Sequence, residues 1–348
     1  MTDRLDRSVL RGWEVLTLRS EALSVGVVPG LGGTLVGLTR AGDDTPVSYA
    51  TPWGLPGAGT GLLGGSAEEL RADADPGGWQ TLFPNAGDNA VVDGIEWGVD
   101  GEARVTPLEV TGTRAENGAG ENRTNEDGTG EDTDPVSVTM TGRLRRSPFR
   151  LTKTIALAGD TVTVTEEVEN QGRQRSDVLW GSRICLGAPL VAEGTELDCG
   201  ASLVHPDAAE VYDADYADVF PWPRVLGRTG MVNLRYLPEP GLGGDRTAYL
   251  TAFSDGWAEV RNETLRLAVR VEWDAETWPH LWYRLEDGAE RGHPWFGREH
   301  FLTLSPCSGW PARGLHDARR ISGSSLALDP GESLTTTHRV RVRTLDAH

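Results

Sequence analysis

The chain lacks the residues on which several kinds of protein depend. Lys153 is the only lysine in 348 residues, and 33 basic side chains face 52 acidic ones, for a formal charge of -19. No Lys/Arg-rich run offers a patch for the counterion release that drives nucleic-acid binding. The same deficit disfavours anionic membrane surfaces. Nucleic-acid and membrane partners are therefore not expected. Cys185, Cys199 and Cys307 are odd in number and lack CxxC spacing, which argues against a disulfide framework and against zinc. The seven histidines show no HxxxH or HxH spacing, so no metal site is expected, and no serine sits in G-x-S-x-G.

Long apolar runs are missing too. The longest uncharged stretch, Thr45 to Ala67, is broken by Pro46, Pro52, Pro56 and repeated glycine, so it reads as a loop and not a membrane span. The first twenty residues carry charges at close intervals and no apolar core of a secretory signal. With this cysteine usage, the expected compartment is the cytoplasm.

Helical periodicity is sparse, limited to Ser66 to Asp73 and Leu315 to Arg320. What is present is alternation of period two. Leu23 to Val28, Val136 to Thr141, Arg150 to Leu157, Thr161 to Val168, Leu265 to Trp273 and Ser333 to Val342 read as strands that bury one face and show the other to water. Without long helices between them, a parallel α/β sheet is improbable. The expectation is an all-β, large antiparallel sandwich, with residues 1–348 as one domain. Residues 115–134 hold seven acids, Arg123 and no large apolar side chain. They read as a mobile acidic loop joining the two arms of a hairpin.

Two motifs are discounted. Gly59 to Gly64 matches G-x-G-x-x-G, but Pro56 and Gly57 break the strand that a dinucleotide site needs before it. Asn122-Arg-Thr124 and Asn262-Glu-Thr264 are glycosylation sequons in form only, given no secretory signal. The twelve tryptophans are more telling: in a β protein most fill the core, but indole faces also seat sugar rings.

Four segments in order carry a resemblance. They are Leu23 to Thr39 (LSVGVVPGLGGTLVGLT), Gly77 to Val110 with Phe83-Pro84-Asn85 and Gly101-Glu102, Phe149 to Val191 ending in LWGSRICLGAPLV, and Trp278 to Ser308 with LSP. Together they resemble the galactose mutarotase-like (aldose 1-epimerase) family. The resemblance implies a supersandwich of antiparallel strands with a sugar site in a groove on one face, no cofactor, and a monomer or homodimer. It also implies a glutamate base, a histidine acid and a second histidine holding the substrate. Mutarotation needs such a pair, because one group takes the proton of the C1 hydroxyl while another protonates the ring oxygen.

This sequence departs at all three positions. The glutamate corresponds to Ser305, the acid histidine to Arg183 or, one residue away, Ser182, and the second histidine to Asp100. A serine hydroxyl alone is too weak a base, and arginine scarcely gives up a proton. A rebuilt site would use Asp100 or Glu102 as base, Arg183 as an electrostatic clamp, and His280, His293 or His300 as proton donor. The same histidines could equally be ordinary strand or loop residues. Arg183 would either grip an acidic sugar or pair with a neighbouring acid such as Asp100. Asn85, Glu102 and Trp282 are the expected substrate contacts, with Trp282 as a groove wall or a core residue. The implied ligand is a free or modified monosaccharide. The activity is either anomer interconversion, binding without catalysis, or chemistry on another cyclic hemiacetal.

Overall fold

A computed structural model describes residues 4–59, 66, 69, 72–115, 135–207, 211–242, 244–288, 291–293 and 295–346. Eighteen strands among these join in one hydrogen-bonded system. In chain order the main ones are β1 (Leu5–Leu10), β2 (Trp13–Arg19), β3 (Leu23–Val28), β4 (Thr34–Arg40), β5 (Trp79–Leu82), β6 (Glu109–Arg114), β7 (Val136–Arg143) and β8 (Phe149–Ala158). They continue with β9 (Thr161–Asn170), β10 (Gly181–Leu186), β11 (Glu196–Pro206), β12 (Arg246–Asn262), β13 (Leu267–Trp273), β14 (His280–Asp287), β15 (His300–Cys307) and β16 (Ser333–Thr344). Every pairing among them is antiparallel.

The long strand β12 belongs to two layers. Its residues 246–250 pair with β14, and its residues 256–262 pair with β13. On one side run β5, β10, β15, β14, β12 and β11; on the other run β6, β7, β8, β9, β16, β13 and β12. The layers meet through Thr81 against Lys153 and Glu166, and through the Trp79 and His338 rings at 5.1 Å. All-β sandwich architecture is thus established.

The cleanest alternation lies in the second layer. β8 and β9 bury every other residue, a face mostly of Phe, Val, Leu and Ile that also holds Lys153, Glu166 and Asn170, while Thr, Ala, Arg150, Glu167 and Glu169 lie on the other. The expected hairpin across residues 115–134 is present as β6 paired with β7, although β6 runs on to Arg114. Most of the acidic insertion itself, like most of Gly59 to Gly64, lies outside the described residues. The LHDARR pattern forms one helix, α1 (Gly314–Ile321). Of the Ser66 to Asp73 pattern, Ser66 and Glu69 show a capping box: the Ser66 amide donates to Glu69 Oε2 (2.7 Å) and the Glu69 amide to Ser66 Oγ (3.2 Å).

One expectation needs correcting. β3 does not show a full face to water: Leu23, Val25 and Val27 are buried on one side, and on the other Gly26 and Val28 are buried and Ser24 is half-buried. β5, β10 and β15 are buried on both faces as well, apart from His300. The cause is the loops that roof the first layer. Among the described residues, no helix is long and apolar enough to cross a membrane.

Candidate functional site

Side chains alternate across a strand, so the first layer sends one set inward and another toward the roofing loops. On β10, Ser182 points in and accepts the Trp79 Nε1–H (2.6 Å), while Arg183 lies on the opposite face. The registers Arg183↔Gln80, Gly181↔Cys307 with Ile184↔Leu304, Trp282↔Ser305, Tyr249↔Trp282 and His205↔Tyr249 align a single transverse row. Across six strands it reads Gln80, Arg183, Ser305, Trp282, Tyr249, His205.

The middle of this row floors a cavity of about 810 Å³. Arg183, Ser305, Trp282 and Tyr249 line it, with Thr303 and Phe301 following Ser305 at intervals of two on β15. Loops complete the walls with Asp100, Asp207, Arg313, His293 and Trp295. Its size falls in the ~300–1,000 Å³ range of small-molecule sites.

At one end Arg183 Nη1 lies 2.5 Å from Asp75 Oδ2, and Asp75 is fully buried. Burial works against the guanidinium charge, but Asp75, then Cys185 and Asp100, outweigh it and raise its pKa, so Arg183 stays a cation. The acid beside it is Asp75, not Asp100, that holds its hydrogen bond. Asp100 sits on a loop in the left-handed region (φ 59°), its amide donating to Gly87 O (2.8 Å) and its Oδ1 accepting the Gly87 amide (3.0 Å). Gly87 has to be glycine, since a Cβ there would lie 2.3 Å from Ala312 backbone atoms.

At the other end Asp207 is gripped twice. Tyr249 Oη donates to its Oδ2 (2.6 Å) and Arg313 Nη2 to its Oδ1 (2.7 Å), while the Ala312 amide donates to Tyr249 Oη (3.1 Å). Burial, reinforced by Asp207, holds the Tyr249 pKa well above its usual value, so it remains a phenol. Trp282 is fixed by its Nε1–H to Gly309 O (2.8 Å). An aromatic flank runs from Trp295 to Phe301 (5.4 Å between rings) and on to Tyr49, stacked on Phe301 at 4.1 Å. Across the mouth, His293 Nε2 meets Asp73 Oδ1 at 2.9 Å.

Of the residues singled out in the sequence, the fold brings Asp100, Arg183, Ser305, Trp282 and His293 to this cavity. Ser182 faces inward toward Trp79, and four others do not line it either. His280 starts β14, where burial and His205 push its pKa down to about 4; it is neutral near pH 7 and has no proton to give there. His300 lies at the opposite end of the β14–β15 pair, its Nδ1 2.7 Å from Asp287 Oδ1. Asn85 is fully buried and spends its amide on structure: Nδ2 donates to Asp88 O and Gly98 O (both 2.8 Å), and Oδ1 accepts the Leu315 amide at the start of α1 (2.9 Å). Glu102 accepts the Arg145 and Arg146 amides (2.9 and 3.0 Å) and Ser147 Oγ–H (2.7 Å), which fixes that turn.

Asp75, Asp207, Tyr249 and Arg313 carry no signal in the sequence. The aspartates are two acids among 52; only strand register puts Tyr249 in the floor, and only its bond to Tyr249 brings Asp207, just past β11, to the cavity. Among the described residues, no group of three or more His, Cys, Asp or Glu is placed to hold a metal ion.

No protein-family model and no curated protein matches the chain. Solved structures do. A protein from Klebsiella pneumoniae subsp. pneumoniae described as a candidate aldose 1-epimerase superposes with a TM-score of 0.74 at 12% identity, over 98% of this chain and 83% of that one. A galactose mutarotase-like protein from Lactobacillus casei gives 0.62 at 14% identity, over 94% and 100%. The Slr1438 protein from Synechocystis gives 0.65 at 18% identity, over 99% of both chains. At these identities the likeness concerns the fold, and the fold is the galactose mutarotase-like β-sandwich.

Proposed function

We propose that this protein interconverts the anomers of a monosaccharide held in the cavity above Arg183, Ser305, Trp282 and Tyr249. The observation that carries the reading is the cavity itself: an indole floor with a carboxylate at either end, Asp100 and Asp207, on a fold shared with a protein described as a candidate aldose 1-epimerase and with a galactose mutarotase-like protein. A pyranose would rest its C–H face on Trp282 while Asp207, Tyr249 and Arg313 take hydroxyls.

Ring opening removes the C1 hydroxyl proton, forms the C1 carbonyl and breaks the bond from C1 to the ring oxygen, which takes up a proton. Asp100 is the base in this scheme, and the backbone link to Gly87 holds it in place. His293, backed by Asp73, is the proton donor. Arg183 steadies developing charge without transferring a proton. After rotation about the bond from C1 to C2, reclosure runs the same steps backwards.

A second reading is binding without catalysis. Its support is specific: Arg183 and Ser305 cannot do the work of an acid and a base, and Arg183 is already held by Asp75. Saturation-transfer NMR or polarimetry over a panel of aldoses tests the first reading, with acceleration over buffer on at least one sugar expected. Calorimetric binding without acceleration establishes the second reading, and absence of both removes the sugar assignment.

A further inference from the structure

We propose that Asp75 sets the charge selectivity of the cavity: by holding the Arg183 guanidinium it reserves the site for uncharged sugars against those bearing a carboxylate or phosphate. This rests on the reading of the cavity as a sugar site. An arginine on the floor of a sugar cavity would ordinarily be a seat for an anion, since its planar fork matches carboxylate and phosphate oxygens. Here the charge of that arginine is already paired. Asp75 Oδ2 receives Arg183 Nη1 at 2.5 Å, and its Oδ1 receives the Gly77 amide and Gln80 Nε2, both at 2.8 Å. Its main-chain oxygen is held by Thr51 Oγ1 and Trp53 Nε1, both at 2.9 Å. A carboxylate tied from so many directions does not swing aside to admit a ligand's anionic group.

The other cavity guanidiniums are engaged in the same way. Arg313 donates to Asp207 at 2.7 Å and Arg284 to Glu286 at 2.9 Å. Glu69, Asp88 and Asp100 add further carboxylates to the lining. An entering anion therefore meets a surplus of like charge, whereas hydroxyl groups find both donors and acceptors.

Asp75→Asn removes the charge and keeps an amide oxygen for Gly77 and Gln80. Arg183 is then a buried cation without its counter-ion, which an anionic ligand would relieve. The test is calorimetry on the full chain with neutral aldoses, each beside its 6-phosphate and its uronate. Wild type is expected to bind the neutral sugar at least about tenfold more tightly, and Asp75→Asn to shift that ratio toward the anions by at least about tenfold. Should the variant not fold, salt decides on wild type alone: added salt strengthens anion binding if repulsion excludes it, and weakens it if Arg183 is an anion clamp. Equal or tighter anion binding by wild type, an unchanged ratio in Asp75→Asn, or anion binding that weakens with salt overturns the proposal and leaves the sugar site standing. A wild type that binds none of these sugars overturns both.

Discussion

Two buried ion pairs lie on opposite faces of the short strand β5, and neighbouring residues serve them: Gln80 bonds to Asp75 of the pair with Arg183, and Thr81 bonds to both Lys153 and Glu166. The chemistry is alike and the surroundings are not. Lys153 and Glu166, 3.3 Å apart, are sealed between the layers, and Glu166 also accepts Trp180 Nε1–H at 3.1 Å. Burial lowers the Lys153 pKa although Glu166 opposes it; burial would raise that of Glu166, but Lys153 outweighs it and brings it down. Arg183 borders an 810 Å³ opening instead. Burial of a charge is therefore no sign of a site by itself. A pair becomes functional when it also bounds a space that a ligand can enter.

The largest effect expected from breaking this contrast is on the sealed side. Lys153→Met leaves Glu166 buried without its cation and should cost about 3–5 kcal/mol in urea unfolding. Adding Glu166→Met should restore much of that loss, because no lone charge then remains. Proton linkage sharpens the same side. His338 is fully buried against Trp79 and Trp278, and burial pushes its pKa down from 6.5 to about 4. The unfolded chain takes up that proton below pH 6.5 while the folded chain refuses it until about pH 4. Stability is thus full above pH 6.5 and falls as pH drops toward 4. The loss reaches roughly 3 kcal/mol from this group. His280 adds a loss of the same sign. His338→Leu should flatten the slope of unfolding free energy against pH, and an unchanged slope would refute the assignment.

On the cavity side the effects are read in activity. Asp100→Asn should slow anomer exchange about a hundredfold with little change in melting temperature. Trp282→Ala should weaken sugar binding by about tenfold or less, as loss of a stacking face does. Ser305→Ala should have the smallest effect of the three, since the hydroxyl is no base.

The same contrast explains what could be read from the sequence. Thr161 to Val168 and Ser333 to Val342 alternate cleanly because they cover the second layer, with one face in the core and the other in water. The site strands β5, β10 and β15 were legible only as segments of a family resemblance. Loops roof them, so Trp79 to Leu82 and Gly181 to Leu186 are buried throughout and lose the period-two signal. Within the site, Asp100, Arg183, Ser305 and Trp282 could be placed because each sits beside a recognisable motif. Asp75 and Asp207 could not, for their meaning comes from Arg183, Tyr249 and Arg313, which lie up to 108 positions away. Asn85 and Glu102 stood in the right motif, yet their side chains hold the loops together, a distinction that hydrogen-bond partners alone disclose.

The central claim is that the row of Arg183, Ser305, Trp282 and Tyr249 floors a sugar site. A crystal structure of the protein grown with a neutral aldose in excess tests it most directly. The account predicts a pyranose ring over Trp282, with hydroxyls within hydrogen-bond reach of Asp100 at one end and Asp207 at the other. A sugar bound elsewhere, or a cavity that stays empty under those conditions, would contradict it.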